Sequence, residues 1–208
     1  MKKILNGLKF TLYIYSHPFD GFWVMKSEKK GNIPTAVILF LLMVSTTVYR
    51  IVGTGYLFES STLSKFSPWS LATVLAVLLL LYCLCNWALT TLIGGSANIK
   101  EIFMATMYAL TPITILNIPT TIVCNVLVLE EAAFISFFTG LSVLLALFLM
   151  LVSNSVIHEF TMLKSIITFI VTLFGIVCVV ILGLFFVYIV QQLFDWISQV
   201  ANEFFDRI

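Results

Sequence analysis

The chain has 208 residues, of which 61% are hydrophobic and only 10% charged, whereas a soluble domain carries about a quarter charged residues. That balance excludes a soluble globular protein and points to an all-α, polytopic integral membrane protein. The net charge of +1 says little as a total, because the charges are spread very unevenly along the chain.

Residues 1–33 hold Lys2, Lys3, Lys9, Lys26, Lys29 and Lys30 against only Asp20 and Glu28. Phe10, Tyr13, Tyr15, Phe19, Phe22 and Trp23 are interleaved with them. Lysine stems and aromatic rings both suit the headgroup level of an anionic membrane. The segment therefore reads as a cytoplasmic, membrane-lying surface; the alternative is a docking surface for a soluble acidic partner. Pro18, just after His17, suits the first position of a short helix reaching about Met25. A secretory signal is not expected, because Asn6, Gly7 and Lys9 interrupt the apolar stretch.

Five apolar spans follow, over residues 34–190. The first runs from about Pro34 to Val52, with Arg50 at its exit, placed to snorkel to the headgroups. A turn-rich loop from Gly53 to about Trp69 leads to the second span, Ser70 to Ile93, which Gly94-Gly95-Ser96 breaks. The third, Ile102 to Leu129, is an uncharged run of 28 residues and contains Pro112 and Pro119. In a helix these prolines free the carbonyls of Tyr108 and Ile115. No water in hydrocarbon can meet such carbonyls, so hydroxyls or neighbouring helices must. Glu130 and Glu131 close this run. The fourth span covers Ala132 to about Ile157, and the fifth begins near Ser165 and ends near Gln191. Gly175 and Gly183, eight apart on the fifth, permit close helix contact.

Residues 191–208 change character. Leu193, Ile197, Val200, Phe204 and Ile208 recur at helical spacing, flanked by Phe194, Trp196 and Phe205, with polar residues between them. This is an amphipathic helix. Asp195, Glu203 and Asp206 on its polar face suit protein better than anionic lipid. Phe194, Trp196, Ile197, Phe204 and Phe205 are the expected docking residues, with passive lipid contact as the alternative. The N-terminal lysines set the orientation: N-terminus cytoplasmic, C-terminus external.

Chemistry-bearing motifs are scarce. His158-Glu159 opens like a zinc-protease helix, but Met162 stands where a second histidine should be. Cys83, Cys85, Cys124 and Cys178 all lie in apolar runs and read as small buried hydrophobes. No catalytic residue, metal site or cofactor is expected, and no nucleic-acid-binding fold is present. One polar pattern stands out by depth. Asn86 and Thr90 on the second span, Tyr108 and Thr111 on the third, and Asn154 and His158 on the fourth all fall in the cytoplasmic half. Such groups usually face the bundle and pair, so they read as interhelical glue around the kink or as a cytoplasm-facing cavity.

His17-Pro18-Phe19-Asp20-Gly21-Phe22, Asn86-Trp87, Tyr108-Ala109-Leu110-Thr111-Pro112 and His158-Glu159, set on five spans, resemble the Yip domain proteins. The resemblance covers roughly residues 10 to 190. Eukaryotic members are five-span proteins of the early secretory pathway that interact with Rab GTPases. The short N-terminus here is similar to the bacterial branch, some of whose members look like companions of ABC transport systems, including those for sugars. The resemblance implies an accessory or scaffold subunit in a bacterial plasma membrane, with lipids and transporter subunits as partners. It brings no catalytic residues. A small transporter or channel, or a membrane-shaping or trafficking protein, are the alternative readings.

Overall fold

The computed structural model describes residues 2–53, 67–126 and 131–205, and among these it contains helices and no strand. Two short helices come first, α1 (Lys2–Ser16) and α2 (Pro18–Ser27). Pro18 occupies the first turn of α2, where its missing amide hydrogen breaks no helical bond. The later helices are α3 (Ile33–Gly53), α4 (Pro68–Leu92), α5 (Ile99–Ala109), α6 (Thr111–Cys124), α7 (Ala132–His158) and α8 (Met162–Phe205). With α5 and α6 taken as one rod, five helices are long and apolar enough to cross a membrane. The expected five-span, all-α architecture is what the chain adopts.

The third span is the centre. Of its most apolar window 56% is buried, against 28% or less in every other span. Helices α3, α4 and α7 pack on α5, and α3 and α7 continue along α6. Ile102, Ala105, Met107, Tyr108 and Ala109 are shut away from solvent on α5. The rod is interrupted at Leu110, and Pro112 sits in the first turn of α6. The carbonyl of Tyr108, which Pro112 cannot meet, accepts a hydrogen bond from Thr111 Oγ1 at 2.5 Å. Pro119 is carried inside α6 without ending it.

Both short helices pack onto the bundle rather than resting on lipid alone. Ile14, Phe22 and Met25 are buried, and α2 lies along α7. The fold also runs on where a boundary was expected. α8 continues through residue 191 for 44 residues, about 66 Å by the usual helical rise. Residues 184–205 hold no glycine or proline, so the change from apolar to mixed composition does not break the helix. Its first turns touch α4 and α7, whereas only 6% of its most apolar window is buried.

Candidate functional site

The six polar intramembrane residues sort into two groups, one joining α4, α7 and α8 and the other joining α1 to the junction of α5 and α6. The first is built on Asn154, whose Nδ2 donates to the Ser165 carbonyl at 3.4 Å and to Ser165 Oγ at 3.3 Å. A carbonyl only accepts, so this contact sets the Asn154 amide and turns its Oδ1 toward Asn86. Asn86 Nδ2 then donates to Asn154 Oδ1 at 3.2 Å, leaving Asn86 Oδ1 facing His158 Nε2 at 3.1 Å. His158 must therefore carry its hydrogen on Nε2, and its Nδ1 is a bare acceptor with no partner. All three side chains are buried. Gly95 closes the pocket: a Cβ there would stand 2.6 Å from His158 Nδ1 and 3.0 Å from the Thr90 carbonyl. Thr90 lines this group but turns its hydroxyl back to the Asn86 carbonyl at 2.7 Å.

The second group ties the N-terminal helices to the break in the third span. Tyr15 donates to Thr111 Oγ1 at 2.6 Å, and Thr111 passes its own hydrogen to the Tyr108 carbonyl. Burial pushes the Tyr15 phenol up to about 12, only partly offset by the bond to Thr111, so it remains a donor. The Tyr108 ring is fully buried, with Phe10 edge-on at 6.0 Å. Its hydroxyl faces Thr35, yet neither oxygen meets a partner in hydrogen-bond geometry. Gly7 lets α1 approach Thr35 on α3, since a Cβ at Gly7 would overlap the Thr35 side chain.

Two of the lysines expected at the lipid surface are engaged within the protein. Lys26 Nζ lies 2.6 Å from Glu159 Oε1 and donates to Ser96 Oγ at 2.7 Å. Lys30 pairs with Glu28 at 2.6 Å. Lys9 and Lys29 are exposed, and the side chains of Lys2 and Lys3 lie outside the described residues. Glu159 adopts a left-handed backbone, φ 58°. It ends α7 with the Phe160 amide bonded to the Ser155 carbonyl at 2.9 Å. The Lys26 ammonium, by hydrogen bond and charge, holds the Glu159 carboxyl below the usual carboxylate range. Lys164 completes the clasp, donating to the Ile93 carbonyl at 3.1 Å with its ammonium 3.9 Å from the Phe160 ring. The loops after α4 and α7 are thus held together by two lysines.

Arg50 does not snorkel outward alone. It donates to Asn117 Oδ1 at 3.4 Å and Thr139 Oγ1 at 3.1 Å, joining α3, α6 and α7 near the other end of the bundle. Asn125 adds a bond to the Gly53 carbonyl at 2.7 Å. Asn117, one turn beyond Ile113 in a helix otherwise rich in threonine, was the signal for this cluster.

On α8, Phe194, Trp196 and Ile197 are exposed, whereas the side chains of Phe204 and Phe205 lie outside the described residues. A Cβ added at Gly175 would stand 3.4 Å from Leu89 Cδ1, an ordinary contact, and one added at Gly183 would meet nothing within 4 Å among the described residues. Among the described residues no three His, Cys, Asp or Glu side chains converge as metal ligands would. The arrangement is one of hydrogen bonds that join helices, with the Tyr108 hydroxyl, Thr35 Oγ1 and His158 Nδ1 left without partners inside it.

No curated protein and no solved structure matches the chain. The family model of the Yip1 domain matches residues 12–185, a stretch that begins in α1, takes in both hydrogen-bonded polar groups described above and ends partway along α8. With that match over most of its length and five helices fit to span a membrane, the chain belongs to the Yip1 domain family.

Proposed function

We propose that the chain is a non-enzymatic accessory or scaffold subunit that binds another integral membrane protein through the far half of α8. The observation that carries this reading is the continuity of α8 past residue 190. A helix that spans the roughly 30 Å hydrocarbon core and runs straight on cannot also lie flat on the headgroups. Phe194, Trp196 and Ile197, all more than half exposed, then project where lipid no longer covers them. Such rings anchor protein interfaces. The family match ends at residue 185, so this part of α8 lies beyond the shared domain and suits a partner particular to this chain.

The resemblance to bacterial companions of transport systems favours the membrane subunits of an ABC-type transporter as that partner. The N-terminus is cytoplasmic and the C-terminus external in this reading, by the lysine asymmetry. The hydrogen bonding of Asn86, His158 and Asn154 to one another supports structural glue over a conduction path. The test is affinity purification of the full chain from native membranes beside a chain ending at Val190. The truncated form inserts normally and loses the co-purifying membrane protein. Recovery of that protein at wild-type yield overturns the docking role.

A further inference from the structure

Two hollows meet at one end of the bundle, between the starts of α3 and α5 and the second half of α4. The outer one, about 690 Å³, is lined by Lys26, Lys29, Lys100, Trp87, Asn98 and Glu101 among others. The inner one, about 300 Å³, is walled by Leu80, Cys83, Leu84 and Phe103. Ile33, Ile99 and Lys100 line both, so the polar hollow opens directly into the apolar groove. Charges in the outer hollow are not all spoken for. Lys26 is held by Glu159, and Glu101 is turned onto the Asn98 amide at 3.0 Å, capping α5. Lys29 and Lys100 are exposed, and neither makes an ion pair or hydrogen bond within the described residues.

We propose that this pair of hollows binds one anionic glycerophospholipid, its phosphate between Lys29 and Lys100 and an acyl chain along Leu80, Leu84 and Phe103. Charge complementarity selects the headgroup, because two unengaged ammonium groups face a space large enough for a phosphate and its substituent. Continuity with a groove walled, apart from Lys100 at its mouth, by apolar side chains selects a molecule that carries a hydrocarbon chain on the same backbone. Leu80 and Leu84 lie two to three turns inside α4 from its end at Leu92, the depth that the upper part of an acyl chain reaches. Trp87 lines the outer hollow, one helical turn beyond Leu84 of the inner one, and an indole suits the headgroup level. The site is separate from the far half of α8, and neither proposal depends on the other.

Native mass spectrometry of the delipidated full chain, titrated with phosphatidylglycerol or phosphatidylcholine of the same acyl chains, tests it. The protein retains the anionic lipid at least fivefold better, and Lys29→Gln or Lys100→Gln each lowers that preference about fivefold. Lys9→Gln, on an exposed lysine outside the hollow, leaves it unchanged. Leu84→Trp fills the groove and weakens retention of both lipids without altering the thermal midpoint. Equal retention of the two lipids, or a Lys9→Gln effect as large as that of Lys100→Gln, overturns the site in favour of diffuse surface charge. Displacement of the lipid by inorganic phosphate at comparable concentration overturns the acyl-chain half and leaves a phosphate site only.

Discussion

Tyr15 reaches from the N-terminal helix to the break in the third span and donates its phenolic hydrogen to Thr111 Oγ1 at 2.6 Å. Thr111 is at once the acceptor for Tyr15 and the donor that satisfies the carbonyl stranded at Tyr108. The N-terminal helices are thereby part of the bundle's own polar bookkeeping.

Tyr15→Phe removes one donor and leaves Thr111 still bonded to the Tyr108 carbonyl, so it lowers stability by about 1 kcal/mol. Thr111→Val strands both the Tyr108 carbonyl and the Tyr15 hydroxyl, and costs about 2 kcal/mol or more. Thermal unfolding of both variants in detergent checks the order. Tyr15→Phe proving the more damaging of the two contradicts the relay.

Asn86 is the middle of the His158–Asn86–Asn154 chain and has the most to lose. Asn86→Leu leaves His158 Nε2–H and Asn154 Oδ1 without partners and costs about 1–3 kcal/mol. Asn154→Leu in the Asn86→Leu background adds much less than it does alone, because the two residues act through one network. A double-mutant cycle on unfolding free energy gives the answer, and strict additivity removes the network.

The left-handed end of α7 at Glu159 is a pH-sensitive clasp. Lys26 depresses the Glu159 pKa in the folded state, so the pair stabilises the loops above the ordinary value of 4.5 and is lost as pH falls below it. Glu159 is exposed, and solvent screening keeps the contribution small. Amide exchange near Ser96 and Glu159 speeds up between pH 5 and 3 more than the loss of the intrinsic rate allows (both pH values roughly bracket the usual carboxylate range). In Glu159→Gln that extra step is absent; its persistence shows that another group is responsible.

Cysteine accessibility in intact cells settles the orientation. A thiol at Lys29 is protected from an impermeant reagent and one at Asn202 is labelled, as the lysine asymmetry requires. The opposite pattern reverses the topology and moves the lysine hollow to the other leaflet.

Much of this was legible in the sequence, because lipid leaves a chain few options. Apolar length alone marks the five spans, Pro18 marks the start of α2, and Pro112 marks the break that Thr111 repairs. Of the six polar residues read as one cluster, Asn86, Asn154 and His158 meet. Which way each side chain faces was not legible: Thr111 answers Tyr15, and the Tyr108 hydroxyl faces Thr35 without bonding to it. Pairings across long separations leave no periodic trace, so Lys26 with Glu159, 133 residues away, read as a lipid-facing lysine. Arg50 was misjudged for the same reason. The end of α8 was placed at a change in composition, although only a helix-breaking residue ends a helix by itself, and none stands there.

That unbroken helix is also a lever. Among the described residues its hydrogen bonds to the rest of the bundle lie near its start, where Asn154 and the Leu151 carbonyl hold Ser165 and the Lys164 ammonium holds the loop after α4. A change of tilt at that grip of roughly 10° would carry the tip near Phe205 through about 11 Å, given the helical rise over its length. A small change at the buried amide of Asn154 that altered this tilt would thereby be magnified into a displacement the size of a helix diameter at the far end of α8.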